Sequence, residues 1–143
     1  MTSAGMGGKY VEEGRVCLAL VHLALERGMW AATVSKAQQC ADLSLRGALR
    51  LVAAESARSQ DVAVALRSEA VRFPEWFRSS IESLATISTK LSGDRGPAFY
   101  GDEAHELGPQ ELFDEADALA AVQDVELVAE LCCRLLSEIH TNQ

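Results

Sequence analysis

The sequence predicts an all-α protein, an up-and-down bundle of about five helices. Apolar residues recur at steps of three and four along most of the chain. β-branched residues are few, and no stretch alternates cleanly as a strand would. The connections between periodic segments are short, which favours antiparallel neighbours. A length of 143 residues, 48% of them apolar, suits one domain with a real core. Residues 1–143 therefore read as a single helical domain, with small and polar residues 1–8 as a flexible start. No apolar run approaches the ~20 residues of a membrane helix, and no basic segment precedes an apolar stretch as in a signal peptide. A cytoplasmic protein without a membrane partner is the expectation.

Residues 9–27 predict the first helix, ended by Gly28. Leu18, Val21 and Leu25 share one face and Val16, Leu20 and Leu23 widen it, so the helix is expected to be mostly buried. The second helix is expected from Trp30 to Glu55. Trp30, Val34, Ala37, Ala41, Leu45, Ala48 and Val52 step by 4, 3, 4, 4, 3 and 4. This alanine-rich seam lets another helix approach closely, inside the bundle or across a dimer. Ser59 suits the N-cap of a third helix over 60–72, with Asp61 in its first turn, where the helix dipole favours an acid. Phe73-Pro74 closes that helix, and Pro74 suits the first position of a fourth. Phe77, Ile81, Leu84 and Leu91 form its stripe, and Gly93 is expected to end it. Asp114 caps the last helix, with Glu115 and Asp117 in its first turn. There Val122, Val125, Ala129, Cys132, Leu136 and Ile139 step by 3, 4, 3, 4 and 3, a heptad seam.

Cys17, Cys40, Cys132 and Cys133 each sit in an apolar helical stretch, none in a C-x-x-C pair. They are expected to be buried reduced thiols acting as small hydrophobes. His22, His105 and His140 are scattered, so no metal site and no cofactor is expected. The net charge of −8 is uneven: residues 1–100 carry 12 basic and 10 acidic side chains, whereas 101–143 carry Arg134 alone against 11 acids. That acidic end argues against nonspecific wrapping by nucleic acid and leaves room for a local basic cleft.

Residues 94–113 form the long irregular segment in this reading, and loops of that length in compact domains are often functional. Arg95, Tyr100, Asp102 and Glu103 make its sharpest constellation. Arg95 can hold a phosphate as a fork, with the acids facing a metal or a partner's arginine. The same residues also suit an internal ion pair, Arg95 with Asp102 or Glu103, that tethers the loop. Arg46 and Arg50 stand four apart on one helix face and can line a basic cleft or pair with Asp42. Trp30, Trp76 and Phe77 read as core or interface anchors.

Several of these stretches resemble one family. Trp30 to Ala53, W-A-A-T-V-S-K-A-Q-Q-C-A-D-L-S-L-R-G-A-L-R-L-V-A, looks like the alanine-rich helix of HEPN proteins, with Arg46 in a lysine position. Ser59-Gln60-Asp61-Val62 looks like the family's S-H-D-V/L start of the third helix, with Gln60 in place of the histidine. Phe73-Pro74-Glu75-Trp76-Phe77, Arg95 to Glu103 with Tyr100-Gly101-Asp102-Glu103, and Pro109 to Ala118 resemble the stand-alone prokaryotic branch. The resemblance spans 9–140 and implies a helical bundle, a homodimer, and a minimal nucleotidyltransferase as partner. It makes Arg95, Tyr100, Asp102, Glu103, Arg46 and Asp61 the residues for a nucleotide or that partner, in a setting of toxin–antitoxin type. Many HEPN proteins are metal-independent RNases with an arginine and a histidine four to six residues apart. Here Arg95 is followed by His105 ten residues on. RNA cleavage is thus the alternative, through a variant site with Arg95 and His105 as catalytic candidates.

Overall fold

The computed structural model describes residues 3–54 and 60–141. Its helices follow from the signals above, with their ends displaced where a local rule gave way to packing. The first, α1, spans Ser3–Glu26 and the second, α2, spans Trp30–Leu51. Residues 3–8 belong to α1, because Gly7 and Gly8 are buried against neighbouring helices rather than loose. Gly28, at φ 68°, makes the corner. Its amide donates to Leu25 O at 3.0 Å, and the Met29 amide to Ala24 O at 3.0 Å, a Schellman closure. The end of α2 repeats that pattern with Ala53 at φ 61°, whose amide donates to Arg50 O, and with the Ala54 amide on Leu49 O. The helix so stops short of Glu55. Glu55 and the expected cap Ser59 lie outside the described residues.

The next helix, α3, is Val62–Ser68, followed by a 3-10 turn at Ala70–Arg72. Asp61 is its N-cap rather than a first-turn residue: one carboxylate oxygen accepts from the amides of Ala63 and Val64 at 2.9 and 3.2 Å. Pro74 is extended and precedes the short α4, Glu75–Arg78. A break at Ser79 and Ser80 separates it from α5, Ile81–Tyr100. The Trp76 Nε1–H donates to Glu138 Oε2 at 2.7 Å, and Arg134 lies 3.9 Å over the same ring, which ties α4 to the last helix. Two further elements complete the described chain: α6, Pro109–Leu112, and α7, Glu115–Thr141. Asp114 caps α7 as expected. Its carboxylate accepts from the Asp117 amide at 2.9 Å, and Asp117 returns the bond to the Asp114 amide at 3.0 Å.

Both apolar seams read from the sequence are used inside the bundle. On α2, Val34, Ala37, Ala41, Leu45 and Ala48 are almost fully buried, and on α7 so are Val125, Ala129 and Cys132. α2 packs against α1, α7 and α5 at once, with Phe73 and Phe77 stacked 4.4 Å apart in the same core. Two expectations are overturned. Cys17 and Cys40 are joined by a disulfide across α1 and α2, with Cα atoms 5.7 Å apart, so they are not reduced thiols. Cys132 and Cys133 are free. Secondly, α1 is not buried all round: Val16, Leu20 and Leu23 are 57%, 49% and 42% exposed. Among the described residues, no helix is long and apolar enough to cross a membrane.

Candidate functional site

The irregular segment expected over 94–113 is mostly helical. α5 does not stop at Gly93 but runs on through Gly96 and Pro97 to Tyr100, where Gly101 at φ 78° turns the chain. The burial of Ala98 holds these extra turns to the bundle. Arg95 thereby becomes a helical residue. It stands beside the part of α2 that carries Arg46. Both line one cleft of about 380 Å³, with Gln38, Gln39, Asp42, Leu43 and Ser92 as the other walls. Arg46 Nε lies 3.0 Å from Asp42 Oδ2, an i, i+4 pair that holds its guanidinium in place. Arg50 is not part of the cleft; it sits 4.9 Å over the Tyr10 ring. Arg95 forms no ion pair with Asp102 or Glu103, so the tether imagined for the loop is not made by that arginine. Beside it, burial pushes the Asp94 carboxyl above the usual range, against the opposing pull of Lys90.

The true loop is 101–108. Asp102 and Leu107 pair as an isolated antiparallel bridge that closes it. Asp102 also binds His105 twice. Its Oδ1 accepts from the His105 amide at 3.2 Å, and its Oδ2 lies 2.8 Å from Nδ1 of the ring. That contact directs the imidazole and leaves Nε2 towards solvent, the arrangement of an oriented base. Glu103 is exposed, and its carbonyl accepts from the Glu106 amide. Tyr100 is exposed and packs edge-on against Phe99, ring centroids 4.8 Å apart. Asp61 borders none of this; its carboxylate serves α3.

Two features lie outside the sequence-derived set. Gln110, on α6, is a double clamp: its Nε2 donates to Gly28 O at 2.8 Å, and its Oε1 accepts from the Ala31 amide at 3.1 Å. It caps the start of α2, where Met29 supplies no side-chain cap, and holds the 101–112 segment against the α1–α2 corner. An apolar cleft of about 620 Å³ lies there, lined by Met29, Ala32, Phe99 and Pro109, and it shares Gln39 with the arginine cleft. An arginine six residues before a histidine does occur on α7, as Arg134 to His140, and α1 carries a pair seven apart, Arg15 and His22. There the arginines are engaged, Arg15 with Glu12 at 3.0 Å and Arg134 with the Trp76 ring, and His22 lies 3.6 Å from Glu126.

An all-helical bundle with a two-arginine cleft between its central helix and its fifth is the class that this fold and site define. The HEPN domain family model matches residues 9–136, and the chain belongs to the HEPN family. No curated protein and no solved structure matches it.

Proposed function

We propose that this chain is a homodimeric HEPN module of toxin–antitoxin type that binds a nucleotide, with the phosphates held by Arg46 and Arg95 and a nucleotidyltransferase-type protein as its partner. The convergence of those two arginines from α2 and α5 on one cleft carries the reading. Two guanidinium groups on one cleft, against the single carboxylate of Asp42, concentrate positive potential there, within the part of the chain where basic side chains outnumber acidic ones. The size of the cleft, about 380 Å³, suits a small molecule better than a protein segment. The adjoining apolar cleft offers Phe99 as a face for a base.

Calorimetry with the four ribonucleoside triphosphates, in turn, tests this. Wild type binds at least one of them, and folded Arg95→Ala and Arg46→Ala each lose about tenfold or more in affinity. Absence of binding by wild type at millimolar nucleotide overturns the nucleotide reading. Copurification with a nucleotidyltransferase encoded beside the gene tests the partner.

A second reading, metal-independent RNA cleavage, has one observation in its favour, the Asp102–His105 contact at 2.8 Å. It requires that wild type cleave RNA without added metal and that folded His105→Ala and Arg95→Ala do not. No cleavage by wild type removes it.

A further inference from the structure

The apolar stripe of α1 is covered by no other element among the described residues. Val16, Leu20 and Leu23 fall at i, i+4 and i+7, so they line one face, and all three are well exposed. The charges at the two ends of that face differ in sign. Glu13 stands one turn before Val16, and Arg27 one turn after Leu23. Glu13 and Arg27 are both exposed, and neither takes part in an ion pair among the described residues.

We infer that this face is the seam on which a second copy of the chain docks, with the two α1 helices antiparallel about a two-fold axis at Leu20. The inference rests on the homodimer in the reading above and assigns its surface. In an isologous contact the same patch meets itself, so a face that is basic at one end and acidic at the other is matched only by the antiparallel arrangement. With Leu20 on the axis, position 13 of one copy falls opposite position 27 of the other, at both ends of the seam. Val16 of one copy then lies beside Leu23 of its partner. A parallel pairing would set Glu13 on Glu13 and Arg27 on Arg27, and like charges so placed oppose association.

Light scattering and sedimentation equilibrium on the full chain test the seam, with circular dichroism to verify folding. Wild type is expected to be a dimer at micromolar concentration. Leu20→Asp buries a charge on the axis and should weaken dimerisation by about a hundredfold. Arg27→Glu and Glu13→Arg should each weaken it roughly tenfold, because each leaves two like-charged contacts. The double variant Glu13→Arg/Arg27→Glu should recover most of the loss, and it serves as the test should Leu20→Asp fail to fold. A wild-type dimer that survives Leu20→Asp overturns this seam and leaves the homodimer standing. Single charge variants without effect, or a double variant without recovery, overturn the antiparallel register. A wild type that stays monomeric overturns both the seam and the homodimer.

Discussion

Gly7 and Gly47 stand backbone to backbone where α1 crosses α2. A Cβ on Gly47 would meet Gly7 O at 2.8 Å and the Val11 amide nitrogen at 2.9 Å, and a Cβ on Gly7 would meet Gly47 O at 2.7 Å. The obstacles are main-chain atoms, which cannot swing aside. The helices must separate to admit even one methyl group, and tightly packed interiors resist that. Gly47→Ala is therefore expected to destabilise the fold by about 1–3 kcal/mol in urea unfolding, despite the better helix propensity of alanine. An unchanged midpoint would mean that the crossing is looser than described.

The Cys17–Cys40 bond closes a loop with a sequence separation of 23. By loop-closure entropy such a link contributes about 3 kcal/mol, less whatever the α1–α2 hairpin retains when unfolded. Protein purified without reductant should titrate two thiols per chain in denaturant, from Cys132 and Cys133, and four after reduction. Reductant should also lower the urea midpoint. Four thiols in the unreduced protein would refute the bond.

Helix ends supply a prediction of opposite sign. Ala53 occupies the left-handed position that closes α2, at φ 61°, where glycine is unstrained. Gly93 and Gly96 lie within α5, and a Cβ on either meets nothing within 4 Å. Ala53→Gly and Gly93→Ala should each stabilise the protein by about 0.5–1 kcal/mol, whereas Gly96 precedes Pro97, whose ring disfavours a Cβ on a helical residue before it. A loss of stability in Ala53→Gly would contradict the backbone geometry at that corner.

Cys132 carries the pH prediction. It is fully buried, and burial pushes its thiol far above the ordinary value near 9.0, with neighbouring Cys133 acting in the same direction. The folded state therefore keeps this proton where the unfolded chain has released it. Above pH 9.0 the unfolded state binds fewer protons, and stability falls as pH rises, by at most about 1.4 kcal/mol per pH unit from this group. Below that pH the thiol adds no pH dependence. Cys132→Ala should be less stable throughout yet lose less between pH 9 and 10; an identical alkaline slope would show that other groups set it.

The steps of three and four that gave the helical class also gave the inward faces of α2 and α7, because burial follows periodicity in a helix with one partner side. Helix ends were harder to read. Gly93 looks like a stop, yet α5 continues through Pro97, which has no amide to bond the Gly93 carbonyl, because the buried Ala98 favours continuation over local propensity. Arg95 was named from the sequence, but its meeting with Arg46 depends on that extension. The disulfide had a legible signal: Cys17 lies eleven residues before Gly28 and Cys40 eleven after Met29, equal arms of a hairpin that turns there. The double clamp of Gln110 had none, since its partners are backbone groups some 80 residues away. The α1 stripe of Val16, Leu20 and Leu23 is legible as apolar but not as exposed, because apolar character does not state whether the covering surface comes from the same chain.

The enclosure of α2 bears on how this protein can vary. Ala32, Ser35, Lys36, Gln39, Asp42, Leu43, Arg46 and Arg50 form its strip to the outside, Trp30 is half-buried at its start, and every other side chain of the helix is packed. Substitution elsewhere on α2 disturbs three neighbouring helices at once, whereas a change within the strip alters only what solvent meets. A saturation library of this helix should show tolerance concentrated at those eight positions. Divergence among descendants of this gene would then be channelled along the line on which Arg46 stands, so that ligand preference can drift while the scaffold stays fixed.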